Sequence, residues 1–281
     1  MQKDIEVNQM KNTKIEWCDD TWNPVTGCLH GCEYCYARGI AHRFEGFEPR
    51  CGGEDIPDEK KKYGKNSIWN TTHGELLHEF SGQPLKRIRS QTFQKAPYPY
   101  GFDPTFHRYR LKELTQKTKP RTIFVGSMTD LFGKWVPSKW IADIMEACLT
   151  APQHRYLFLT KNPERFLELA GEGILPQRDN FWYGTTATRG NSPIFWSDRY
   201  NTFMSVEPIL EPFLYPPDPL ALKAGWVILG AETGNRKDKV VPERSWIEQM
   251  VRFLKDANIP VFMKGSLIPI WGDDIITEFP W

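Results

Sequence analysis

Six short apolar runs recur from residue 121 onward: RTIFVGS (121–127), RYLFLT (155–160), FWYGTT (181–186), NTFMSV (201–206), WVILGA (226–231) and PVFMKG (260–265). Stretches with helical spacing separate several of them. PSKWIADIMEACLT (137–150) opens on Pro137, which a first helical turn tolerates. PERFLELA (163–170) is ended by Gly171. In SWIEQMVRFLKDAN (245–258), Trp246, Ile247, Met250, Val251 and Leu254 share one face. Strands alternating with helices at this spacing mean βαβ units and a parallel sheet. A first strand just before Cys28 brings the number to about seven, so the expected fold is α/β, a partial or near-complete TIM-like (βα)6–7 barrel. An open doubly wound sheet is the alternative. Residues 44–105 fit no βα unit, and read as a long insertion or lid after the first strand of a single domain spanning 1–281.

A parallel barrel gathers the C-terminal ends of its strands on one face, where active sites are built. Here those ends carry Ser127, Thr129 and Asp130, then Thr160 and Lys161, Thr185 and Thr186, Glu207, Glu232 and Lys264. Such a series of reactive groups favours function over the plain polarity of loops.

No run of the 281 residues approaches eighteen apolar positions, so no membrane span is expected. The opening MQKDIEVNQMKNTKIEW lacks the apolar core of a secretory signal, and the expected location is the cytoplasm. Net charge is +1, but residues 59–121 hold fourteen Lys or Arg against five Asp or Glu. Phe93, Tyr98, Tyr100, Phe102, Phe106 and Tyr109 are interleaved with them, a composition that suits a polyanion such as nucleic acid. A solvated segment balancing an acidic body is the plainer reading.

Six cysteines are too few for a disulfide scaffold, yet three stand within eight positions of GCLHGCEYCYAR: Cys28, Cys32 and Cys35. A structural zinc site wants four protein ligands, and Cys18 or His30 is available as the fourth. A [4Fe–4S] cube also has four corners. Held by three thiolates, it keeps one iron open to an exogenous ligand. Gly27 and Gly31 let the loop wrap closely, and Tyr34 sets an aromatic face beside the open corner. Cys148 lies on the apolar run of a helix and reads as core, while Cys51 falls in the insertion.

CLHGCEYC resembles the C-x3-C-x-aromatic-C signature of radical S-adenosylmethionine (SAM) enzymes. In that superfamily the open iron chelates the amino and carboxylate groups of SAM. Reduction of the cluster then cleaves SAM to methionine and a 5′-deoxyadenosyl radical, which abstracts hydrogen from substrate. The blocks TKIEWCDDTWNPVTGC, FDPTFHRYRL, RTIFVGSMTDLF, FLTKNPERF, MSVEPIL and WVILGAETG are similar to those of a phage-associated radical SAM family of unknown function, from about residue 13 to residue 264. Usual members of that family have a longer gap between the first two cysteines, and often threonine in place of Cys18. SMTD and LTK also resemble the SAM-contacting blocks of spore photoproduct lyase, which repairs DNA.

The resemblance implies roles. Cys28, Cys32 and Cys35 hold the cluster. Asp130 or Ser127 accepts from SAM's ammonium, Lys161 meets its carboxylate, and Thr185 or Thr186 serves the ribose or carboxylate. GAETG (230–234), which carries Glu232, is a glycine-rich strand exit near the adenosine. From their places at the ends of later strands, Glu207, Glu232 and Lys264 are expected deeper toward substrate. Arg165, one turn past Lys161, caps a phosphate or carboxylate, or simply faces solvent. Cys18 donates a hydrogen atom to a product radical, as in enzymes like spore photoproduct lyase, or is a small core residue. A low-potential donor, ferredoxin or flavodoxin, is implied as partner. The expected function is a radical SAM enzyme acting on substrate over the barrel mouth, with nucleic acid or a nucleotide the leading class. The alternative is a non-catalytic nucleic-acid binder stapled by zinc or an inert cluster.

Overall fold

The structure, a computed structural model, describes residues 13–46, 67–70, 75–80, 86–89, 92–213, 223–234 and 236–281. Thirteen strands are found among them: β1 (Asp20–Trp22), β2 (Val25–Thr26), β3 (Ser67–Asn70), β4 (Glu75–Phe80), β5 (Lys86–Arg89), β6 (Thr92–Lys95), β7 (Thr105–His107), β8 (Thr122–Val125), β9 (Arg155–Thr160), β10 (Phe181–Thr186), β11 (Asn201–Val206), β12 (Val227–Leu229) and β13 (Val261–Met263). Four helices matter for the architecture: α1 (Tyr36–Arg43), α2 (Ser138–Leu149), α3 (Glu164–Gly171) and α4 (Arg244–Asp256).

Seven strands form the main sheet in the order β1, β8, β9, β10, β11, β12, β13, and every neighbouring pair is parallel. The sheet curls into a half-barrel whose first and last strands do not pair. Strand alternation sorts the side chains into two layers. Tyr156, Phe158, Phe181 and Tyr183 pack outward against Ile141, Ile144, Met145 and Cys148 of α2 and Phe166 of α3. Further along, Met204, Val206, Val227, Leu229, Val261 and Met263 pack with Ile247, Met250 and Leu254 of α4. The concave face carries Phe124, Leu157, Trp182, Phe203, Ile228 and Phe262 around Trp17 and Trp226. Each such fully buried side chain stabilises the fold by about 1.5–3 kcal/mol. Gly184 makes this filling possible, because a Cβ there would lie 2.3 Å from the Phe203 ring.

The half-barrel's lower end is stopped by the last residues of the sequence. Met263 N–H donates to Ile276 O at 2.7 Å and Glu278 N–H to Val261 O at 2.9 Å, so this stretch lies along the outer edge of β13. Trp281 then sits 5.5 Å from Trp182 and 5.3 Å from Trp226, and Phe279 5.2 Å from Phe262.

Two details differ from the sequence reading. The strand that enters the parallel sheet is β1, well before Cys28. The stretch next to the cysteine, β2, leaves the sheet and pairs antiparallel with β7. Pro24 separates the two, since it lacks the N–H that a continuing ladder needs. The second difference is that helices do not follow every strand: β10 runs to β11 through irregular chain.

The 44–105 region contributes β3 to β6 among its described residues. β2, β7, β4 and β3 make a four-stranded mixed sheet, and β5 and β6 a hairpin. Cys51 and the lysine run at 59–65 lie outside the described residues. Among the described residues no helix is long and apolar enough to cross a membrane.

Candidate functional site

The cysteine loop leaves β2 through Gly27, whose φ is +89°. A Cβ on Gly27 would fall 2.2 Å from Asp103 O, so only glycine fits against that neighbouring backbone. Gly27 N–H donates to Met128 O at 2.9 Å, Thr129 Oγ1 to Gly27 O at 2.6 Å, and Cys28 N–H to Phe102 O at 3.1 Å. The far end of the loop is fixed by α1. Cys35 is its N-cap, and its Sγ accepts from Arg38 N–H at 3.4 Å.

Side chains from the strand ends tie down the loop between these points. His30 Nε2 lies 2.6 Å from Asp130 Oδ2, after β8. Tyr34 OH accepts from Lys161 Nζ at 3.1 Å, after β9. Tyr36 OH donates to Ser127 O at 2.8 Å. After β12, Glu232 takes a bidentate pair from Arg236, Nε to Oε1 at 2.8 Å and Nη2 to Oε2 at 2.9 Å, and Arg236 Nη1 reaches Glu33 Oε2 at 3.4 Å.

These groups surround a cavity of about 240 Å³ at the C-terminal ends of the parallel strands. Cys28, Cys32, Cys35, Tyr34, Ser127, Asp130, Lys161, Thr186 and Glu232 all lie on its wall, together with Glu207 and Lys264. The structure thus brings together nine of the eleven residues to which the sequence reading gave a catalytic, cofactor or metal role.

Thr185 and Cys18 are the two it does not bring in. Thr185 has the parity of Phe181 and Tyr183, so it faces outward, where its Oγ1 accepts from Phe195 N–H at 3.0 Å. Cys18 packs against the aromatic cluster of the concave face, with Sγ 3.8 Å from Ile15 O. Burial pushes its thiol up to about 12. It is half-buried and is not among the residues lining the cavity. Arg165 is also turned away, bonded to Ser138 Oγ at 2.8 Å and Glu168 at 2.6 Å.

Asp130 is on the wall but saturated. Beside His30 it accepts from Lys161 N–H at 2.9 Å, Thr160 Oγ1 at 2.7 Å and Phe132 N–H at 3.1 Å. Four donors on a buried carboxylate make it a clamp between two strand ends and the loop. Burial, the largest influence, pushes the Cys28 thiol up to about 12. The hydrogen bonds from Arg236 hold the Glu232 carboxyl below its ordinary value.

Three thiols on one loop are a soft donor set, the type that suits iron–sulfur clusters. Among the described residues no three His, Cys, Asp or Glu side chains are grouped tightly enough for a single metal ion. A cube of irons and sulfides is larger than an ion, and its thiolates stand correspondingly further apart. Both sequence candidates for a fourth ligand are engaged elsewhere: Cys18 in the aromatic cluster, and His30 Nε2 on Asp130.

Sequence reasoning missed Arg236 and Ser205, and named His30 only as a candidate metal ligand rather than as the partner of Asp130. Ser205 shares the inward parity of Phe203 on an apolar strand, a weak signal. Three cations of the basic segment are paired within the fold: Arg108 with Glu79 and, at 2.6 Å, with Asp143; Arg110 on Asn23 O; and Lys117 with Asp20 at 2.8 Å.

No curated protein and no solved structure matches the chain. One family model does, described as a protein of unknown function (DUF5131), over residues 12–273. That match takes in all seven strands of the half-barrel and the whole cavity wall, and the chain belongs to this family.

Proposed function

We propose that this chain is a radical SAM enzyme, with a [4Fe–4S] cluster on Cys28, Cys32 and Cys35 and SAM bound at the barrel mouth. The observation that carries the reading is the thiol trio on one loop, lining the cavity at the C-terminal ends of a parallel half-barrel. When bound, the cluster would supply one electron, from a ferredoxin or flavodoxin, to split the sulfonium C–S bond into methionine and a 5′-deoxyadenosyl radical that takes hydrogen from substrate.

The chain's own residues do the binding and orienting. Lys161, on Tyr34 OH, offers a cation to SAM's carboxylate. Ser127 keeps acceptor capacity for the ammonium after donating to Asn23 Oδ1 at 3.2 Å. Asp130 acts at one remove, by holding His30 and so the loop. Thr186 faces the cavity from β10 and suits the ribose or carboxylate. Glu232, paired to Arg236, closes the rim on the adenosine side. Substrate meets the remaining wall at Glu207 and Lys264, and a nucleotide or nucleic-acid base is the class we favour.

Anaerobically purified protein should contain about four irons and four sulfides per chain. With a strong reductant it should convert SAM to 5′-deoxyadenosine, and Cys32→Ser should remove both properties. Zinc without sulfide in the purified protein would overturn the proposal in favour of a metal staple.

A further inference from the structure

One corner of the cavity, at the ends of β11 and β13, carries polar groups that neither the thiol loop nor its ties use. Lys264 Nζ pairs with Glu207 Oε1. Among the described residues neither side chain makes another hydrogen bond, so the pair presents Glu207 Oε2 as an acceptor beside two ammonium hydrogens. Gly230 of the intervening strand end leaves room for the pair, since a Cβ there would lie 3.1 Å from Lys264 Cδ and 3.2 Å from Glu207 Cδ. Two residues before Glu207 is Ser205, only 1% exposed, whose Oγ has no partner among the described residues and which lines the same cavity. A buried hydroxyl without a partner costs stability, and packing does not explain it. Trp17 and Phe124 supply flat apolar wall beside them.

The pattern is donor, acceptor, donor. Glu207, the acceptor, is joined to Lys264 by an ion pair and to Ser205 along its own strand. The complementary edge is acceptor, donor, acceptor, which a cyclic imide carries as C=O, N–H, C=O. We propose that Ser205, Glu207 and Lys264 form a subsite for a pyrimidinedione base, whose N3–H meets Glu207 and whose two carbonyls meet Lys264 and Ser205, with the ring against Trp17 and Phe124. This deepens the reading of the cavity as a substrate site, and rests on it. An adenine ring presents only one donor beside one acceptor and leaves Ser205 unmet.

The test is equilibrium dialysis of the full chain with uridine, N3-methyluridine and S-adenosylhomocysteine. Uridine should bind, and methylation at N3 should weaken binding by at least about tenfold, because it removes the donor and leaves Glu207 facing a methyl group. Lys264→Met should weaken uridine by a similar factor. Ser205→Ala, which removes only a hydroxyl without a partner, should weaken it several-fold with an unchanged melting temperature, so the subsite stays testable even if the lysine variant folds poorly. Equal binding of uridine and N3-methyluridine would overturn the proposal, as would no binding of uridine at all. Loss of S-adenosylhomocysteine binding in the Ser205 variant would also overturn it, by giving the corner to the cosubstrate. Iron and sulfide are measured on the same preparation. Cluster-free protein that binds uridine sinks the cluster reading alone, and loaded protein that ignores uridine sinks this one alone.

Discussion

Glu232 shows how much one side chain does at this site. Its two oxygens are spent on Arg236, which in turn reaches Glu33, the residue after Cys32. Because Arg236 holds the folded-state carboxyl below its ordinary 4.5, the clasp's stability is fully present above that value. It is lost as pH falls through the lower, folded value. Melting temperature measured from pH 7 downward should therefore fall once the pH passes below about 4.5, and Arg236→Met should lower the neutral-pH value and flatten that acid limb, because the stability it removes is the stability that acid titrates away. Asp130 was legible from sequence as a polar strand end, but its saturation was not. Four donors converge on it from residues 30, 132, 160 and 161, and only folding brings the first and last of these together.

The strands β9, β10 and β11 were legible to the residue, because their apolar runs have sharp polar ends. Helices α2, α3 and α4 were legible through their buried stripes. The side chain that a strand end presents was not, because parity near a terminus turns on a single position. Thr185 and Thr186 make the case. Thr185→Val should cost about 1–3 kcal/mol in chemical denaturation, by leaving the buried Phe195 N–H without an acceptor, with ligand binding unchanged. Thr186→Val should leave stability within about 0.5 kcal/mol and weaken SAM binding instead. The reverse pattern would mean that β10 is read on the wrong face. The four-stranded sheet of β2, β7, β4 and β3 was hidden for a different reason: its pairings join distant short segments that carry little periodicity of their own.

At the scale of the molecule, a seven-stranded half-barrel has two problems that a closed barrel lacks: unpaired edges and an uncovered lower end. The stretch 276–281 covers one of the two edges and the lower end, pairing along β13 and seating Phe279 and Trp281 on Trp226, Phe262 and Trp182. Both rings stay partly exposed, so replacing the pair with alanine should cost about 2–4 kcal/mol, seen as a lower urea midpoint. An unaltered midpoint would mean that the concave cluster is self-sufficient. The alternation of apolar runs foretold the parallel sheet, but nothing in it foretold this stopper, since EFPW has neither helical nor strand period.

The ties on the cysteine loop have a consequence for the order in which this protein matures. His30 and Asp130 are 100 positions apart, Tyr34 and Lys161 are 127, and Glu33 and Arg236 are 203. A nascent chain that has just produced the motif and α1 owns only the local Cys35 cap, and the latest of the distant anchors arrives with the penultimate strand of the sheet. The full set of ties on the loop is therefore complete only once β12 and the residues that follow it have been made, so the loop cannot serve as an early seed for folding.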